Sequence, residues 1–236
     1  HAFNISEVNK SHKVAVIGLG LIGALLTKYS ISENIETTGF DISSKKIQNF
    51  KKEANAILIK KDLKDLDLIL KNSFDVVYLC VENISTLLFR RACELLNSQG
   101  KVIIVGTTKA IFPRDIIYKK NLEIKVAVSY GPGRYDEKFE TGRDIKYNQK
   151  FKYSYIDNVL SFIDKVKDKK INLDNLYCKK YSFHDFNLAY KKLLNNQIQG
   201  IIFEYDQKKK PFDHKEKFIS SSIDINNYNC DIIGTG

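Results

Sequence analysis

From Lys13 onward the chain alternates short apolar runs, rich in β-branched residues, with polar segments in which apolar positions recur every three or four residues. Short apolar runs mark strands, the longer period marks helices, and their alternation is the pattern of βαβ units around a parallel sheet. Six strands are predicted, at Lys13–Ile17, Glu36–Phe40, Ala56–Ile59, Val76–Cys80, Lys101–Val105 and Ile124–Val128. "VAVI" and "VIIV" are apolar throughout, as strands covered on both faces must be. Helices are predicted after Gly20, Ser44, Asp62 and Ser85. In "STLLFRRACELLNSQG", residues Leu87, Leu88, Arg91, Cys93, Leu95 and Leu96 fall at near-helical spacing before a glycine stop. The expected fold class is α/β, a doubly wound six-stranded parallel sheet over residues 1–130.

After Val128 the pattern changes. Residues 131–150, inside "SYGPGRYDEKFETGRDIKYNQK", carry glycines, a proline and many charges and read as a loop or arm. Residues 151–206 read as helix, strand, helix, strand. "YSYIDNVLSFIDKVKD" places Tyr155, Val159, Phe162, Ile163 and Val166 on one side of a helix. "NLYCKKYSF" is extended, "HDFNLAYKKLLNN" is a helix that Asp185 would cap, and "GIIFEYD" is a last strand. Residues 207–236 begin as a polar linker and end in "CDIIGTG", an apolar run meeting a glycine turn.

The candidate chemistry sits at the first glycine turn. Gly18, Gly20 and Gly23 stand as G-x-G-x-x-G directly between a strand and a helix. That setting suits a Rossmann-type dinucleotide site: a tight turn, close approach of backbone to a diphosphate, close helix packing, and a helix N-terminus that attracts phosphate charge. Asp41 follows Gly23 by 18 residues, near the roughly 20 expected of a carboxylate that binds the adenosine ribose. The alternative is a plain α/β turn, with Asp41 opening a loop and Ser43 or Ser44 capping a helix; strand, turn, helix and acid in this order favour the cofactor. Leu21 and Ile22 join the candidate site as the first residues of the helix. Ligands of open α/β sheets lie beyond the strand carboxyl ends, which adds Cys80 and Val81 from "LCVEN" and Gly106 and Thr107 from "VGTTK". There Gly106 would let backbone approach the nicotinamide ribose and Thr107 would offer a hydroxyl; both would equally serve as turn residues. Asp41 would repel a 2′-phosphate, favouring NAD over NADP, unless Lys45 or Lys46, read as helix-face residues, offset it.

Composition narrows the partners. A net charge of +10 raises nucleic acid as a ligand, but only 5 residues are arginine and the lysines are dispersed beside Asn and Ile, so no nucleic-acid partner is expected. The lysine runs at 165–170 and 208–210 read as helix surface and loop. No apolar run approaches the roughly 18 residues of a membrane span, no membrane partner is expected, and the default location is the cytoplasm. The 4 cysteines lack a local pair and the 4 histidines, His1, His12, His184 and His214, lack metal spacing, so no metal site is expected. Met is absent, so the chain is expected to derive from something longer.

"HKVAVIGLGLIGALLTKYS", the acid in "TTGFD", "FDVVYLCVEN" and "GKVIIVGTTKA" together resemble the cofactor domain of medium-chain, zinc-type alcohol dehydrogenases. "INLDNLYCKKYSFHDFNLAYKKLLNNQIQGIIFEYD" is similar to the return segment of that family, which completes a catalytic domain. "SYGPGRYD" resembles a two-module subgroup whose second module is of the Gfo/Idh/MocA type, and "CDIIGTG" sits where that module would open. The resemblance implies an NAD(H)-binding domain of an oxidoreductase acting on an alcohol or sugar-like substrate. It also implies zinc only through a missing N-terminal catalytic domain, and a C-terminal module cut inside its own dinucleotide turn. Arg134 and Tyr135 are the candidates for clamping and protonating a substrate, with loop packing as their alternative role. The rival functions are an NAD(H)-sensing regulatory domain and an S-adenosylmethionine-dependent methyltransferase-like fold. Helix 155–166 and strand 200–205, if shaped for an absent domain, should expose apolar surface and promote self-association or a homo-oligomer.

Overall fold

The computed structural model describes residues 1–50, 55–59, 70–129, 131, 137, 153–174, 176, 178–195 and 197–205. The polypeptide opens with a short helix α1 (Ala2–Ser6), then β1 (Lys13–Ile17), α2 (Leu21–Ser32), β2 (Glu36–Asp41), α3 (Ser44–Phe50) and β3 (Asn55–Leu58). A second half follows: β4 (Phe74–Leu79), β5 (Asn83–Ile84), α4 (Thr86–Leu95), β6 (Leu96–Ile104), β7 (Thr107–Thr108), α5 (Arg114–Lys120) and β8 (Glu123–Val126). Six strands form one sheet in the order β3-β2-β1-β4-β6-β8, every pairing parallel. This is the expected doubly wound sheet, and its order reverses between β1 and β4, which opens a crevice at their carboxyl ends.

Both faces of the sheet are covered, and strand residues alternate between them. Ala15, Ile17, Val77, Leu79, Val102 and Ile104 enter one core with Phe89, Ala92 and Cys93 of α4. Val14, Val16, Val76, Tyr78 and Ile103 enter the other, with Ala24 and Leu26 of α2. The buried Tyr78 hydroxyl is satisfied by Ser6 Oγ at 2.7 Å, which ties α1 to the sheet.

Two details depart from the sequence expectations. Leu96 is not helical: α4 ends at Leu95 and β6 begins at once, because Leu96 pairs with Phe74 before a bulge at residues 97–100 brings Lys101 opposite Val76. The helices α1 and α5 and the two-residue pair β5–β7 were not anticipated, being too short to show a period. The expected helix after Asp62 lies outside the described residues.

The segment after the sheet is helix α6 (Tyr155–Lys167), strand β9 (Cys178–Ser182), a 3₁₀ turn (Phe183–Asp185), helix α7 (Phe186–Leu194) and strand β10 (Gly200–Glu204), with β9 and β10 parallel. Ser154 and Asp157 cap α6 reciprocally, each side chain bonding the other's backbone amide. Asp185 occupies the N-cap position of α7 but makes no capping bond; Ser182 Oγ instead accepts from His184 N at the start of the 3₁₀ turn. The apolar residues of α6 divide between two directions. Phe162 stacks on Tyr29 of α2, beside a Tyr29–Ser161 hydroxyl bond of 2.7 Å and a Lys165–Glu33 ion pair. Tyr155, Val159 and Ile163 stay exposed with Ile156 and Leu160.

Candidate functional site

The glycine turn joins β1 to α2 at the switch point, and its three glycines answer three different demands. Gly18 has a φ of +95°, the left-handed region that favours glycine, and a Cβ there would meet Val81 Cγ1 at 2.7 Å and Cys80 O at 2.8 Å. At Gly23 a Cβ would fall 1.8 Å from Gly18 O, so α2 can lie against the turn only without a side chain there. Gly20, the N-cap of α2, has φ of −66°, and its Cβ would meet nothing within 4 Å. Internal packing therefore requires Gly18 and Gly23, whereas the space a Gly20 side chain would fill is open. No side chain caps α2 and no acidic residue stands in its first turn. The first N–H groups of a helix have no intrahelical partner and carry the positive end of the dipole. Open space, bare N-terminus and missing Cβ fit a diphosphate.

Asp41 ends β2 and is 5% exposed. Its Oδ2 accepts from Leu19 N at 2.7 Å and from Lys46 Nζ at 3.3 Å, and Oδ1 accepts from Ser43 N at 2.8 Å. A carboxylate offers about four lone-pair directions, so one direction on Oδ1 is left for a ligand. The acid thus braces the glycine turn through Leu19 N. Lys46 corrects the helix-face reading: it stands on α3 and pairs with Asp41.

The other candidates lie on the facing strand ends. Cys80 follows β4, its amide bonded to Ile17 O at 2.8 Å, and burial pushes its thiol up to about 12, so it stays neutral at physiological pH. Val81 packs on Gly18. A Gly106 Cβ would fall 1.8 Å from Val81 O, so the close backbone approach at this glycine is to Val81. Thr107 is exposed and pairs with Asn83 in the β5–β7 ladder. Leu21 lies near Gly200, and Ile22 is exposed. Ile22 lines a cavity of about 430 Å³ together with Val105, Ala127, Val128 and Phe162. Arg134 and Tyr135 lie outside the described residues. Among the described residues no group of three His, Cys, Asp or Glu side chains is placed to hold a metal, and no helix is long and apolar enough to cross a membrane.

One contact had no signal in the sequence. Gln199, immediately before β10, donates from Nε2 to Leu19 O at 2.7 Å, bridging 180 residues.

Residues 13–123 match the sequence model of the NAD binding domain of 6-phosphogluconate dehydrogenase. No curated protein sequence matches the chain. Among solved structures, 2R,3R-butanediol dehydrogenase from Bacillus subtilis is similar with a TM-score of 0.65 at 15% identity, covering 86% of this chain and 53% of its own. Cinnamyl alcohol dehydrogenase from Sorghum bicolor gives 0.63 at 15% identity, with 85% of this chain and 49% of that one covered. Acetophenone reductase from Geotrichum candidum, solved in complex with NAD, gives 0.61 at 20% identity, with 86% and 51% covered. The chain thus spans about half the length of these structures. At such identities the likeness is one of fold, and a coverage of 85–86% of this chain carries it beyond the six-stranded sheet. The fold and the glycine turn define a Rossmann α/β domain. Over residues 13–123 its sequence is similar to an NAD binding domain.

Proposed function

We propose that this chain is the NAD(H)-binding part of a medium-chain, alcohol dehydrogenase-like oxidoreductase, which in its intact form moves hydride to or from an alcohol or sugar-like substrate. The observation that carries the reading is the open, uncapped N-terminus of α2 at Gly20, with the buried carboxylate of Asp41 beside it. Backbone N–H groups of Leu21 and Ile22 would hold the diphosphate. Asp41 Oδ1 would accept from a ribose hydroxyl, and the 3.3 Å Lys46 contact, the longest at that carboxylate, is the one a second hydroxyl would displace. Bound there, the nicotinamide supplies the hydride donor or acceptor. Ile22, Val105 and Val128 would present an apolar wall to its ring. NAD is favoured by Asp41, while Lys46 softens the repulsion of a 2′-phosphate.

The dehydrogenases and reductase that share the fold support the oxidoreductase class, and the resemblance of residues 151–206 to a return segment supports the medium-chain type. On this reading the groups that polarise the substrate, zinc included, belong to a preceding catalytic domain, and the Gfo/Idh/MocA-like module follows. The chain alone should therefore bind NADH without turning over alcohols. Incubating it with NAD and a panel of primary, secondary and sugar alcohols should yield no absorbance at the NADH band, whereas the intact protein should produce it. Alcohol oxidation by the isolated chain would contradict this division of labour.

A further inference from the structure

We propose that Gln199 is a positioning residue for the dinucleotide: it acts through the Leu19–Gly20 peptide to aim the Gly20 N–H at the diphosphate. The inference rests on the proposal that the glycine turn binds that diphosphate. Leu19 is held at three points. Its side chain is fully buried, and a Cβ on Gly39 of β2 would come within 2.9 Å of its Cδ2. Its N–H donates to Asp41 Oδ2 at 2.7 Å, which fixes the peptide between Gly18 and Leu19. Its carbonyl accepts from Gln199 Nε2 at 2.7 Å, which fixes the peptide between Leu19 and Gly20. A trans peptide is planar, with its C=O and N–H pointing in opposite directions. Gripping Leu19 O from the β10 side therefore aims the Gly20 N–H to the other side of the same plane.

The grip is held at close range by the next residue. A Cβ at Gly200 would lie 2.6 Å from Cys178 Sγ and 3.4 Å from Leu21 Cδ2, so the start of β10 comes this near to β9 and to the first residue of α2. Gln199 and Gly200 both lie outside the segment 13–123 that carries the sequence match. The return segment thus does more than follow the cofactor domain: it orients one peptide of the phosphate turn. By reciprocity, a ligand held by that turn stabilises the docking of β10.

The test uses the full 236-residue chain and two near-isosteric variants without the donor, Gln199→Glu and Gln199→Met. NADH affinity is measured by fluorescence titration, folding by thermal unfolding, and the turn itself by the Gly20 amide resonance in the ligand-free protein. The expected result is a loss of NADH affinity of roughly tenfold, in line with one hydrogen bond, together with a displaced Gly20 resonance and a near-native thermal midpoint in at least one variant. An unmoved Gly20 resonance in both variants overturns the inference, whether or not affinity falls. Wild-type affinity in both overturns it too and leaves the cofactor reading intact. Wild-type protein that binds no NADH defeats the cofactor reading, and the ligand-free resonance then still decides whether Gln199 orients the turn.

Discussion

At the scale of single residues, the three glycines of one motif separate structural from ligand-binding roles. A Gly23→Ala methyl would sit 1.8 Å from a carbonyl oxygen, an overpacking that costs about 1–3 kcal/mol or more. A Gly20→Ala methyl meets only open space at an ordinary φ. Gly20→Ala should therefore melt like the wild type yet lose NADH binding, whereas Gly23→Ala should melt several degrees lower. Equal melting losses in both would remove the distinction. The turn and its acid were legible because their chemistry is written in local spacing: strand, glycines, helix, Asp41. Gln199 was not, and Lys46 was legible only as an alternative to a helix-face lysine. A lysine five residues past an acid looks like any helix lysine, and a glutamine 180 residues from its acceptor leaves no mark until the chain folds back.

Elements were legible where their period was long enough to count. The six-strand sheet and helices α6 and α7 show their apolar rhythm plainly and α2 is announced by the glycine turn before it, while α1, α5 and the β5–β7 pair are too short to do so. At the α4–β6 junction Gly100 resembles a helix stop, but tertiary pairing of Leu96 with Phe74 ends the helix at Leu95. At α6 the capping box gives an element-scale prediction. Hydrogen bonds from the Ser154 amide and hydroxyl hold the Asp157 carboxyl below its ordinary value of 3.8. The folded state then binds the Asp157 proton more weakly than the unfolded state. The cap's contribution is thus complete above pH 3.8 and is lost as pH falls through the lower folded value. The thermal midpoint of Asp157→Ala should trail the wild type by a constant interval down to that pH, and the interval should shrink below it. A gap that widened in acid would show that the carboxylate does not act through the cap.

On the scale of the whole molecule, two exposed apolar surfaces stand on the segment that follows the sheet. On α6, Ile156, Val159, Leu160 and Ile163 recur at i, i+3, i+4 and i+7, and each is at least 39% exposed. Around the β9–β10 pair, Phe183, Phe186, Leu188, Tyr190, Ile202 and Tyr205 are also exposed. Phe183 stacks on Phe186 and Tyr205, so this second surface is an ordered aromatic cluster. Patches of this kind mark contact surfaces, consistent with a segment whose proposed partner is another domain. Isolated chain should self-associate in sedimentation experiments, and Leu160→Glu with Ile202→Glu should reduce that association; a monomer at all concentrations would count against it. The central claim, however, lies at the switch point, where the bare start of α2 meets Asp41. Calorimetric titration of wild type and Asp41→Ala with NADH and NADPH tests it most directly. The account predicts that wild type binds NADH more tightly than NADPH and that the substitution weakens NADH binding by at least roughly tenfold, the scale of a charged hydrogen bond. Identical NADH affinity in the two proteins, or none in either, would contradict it.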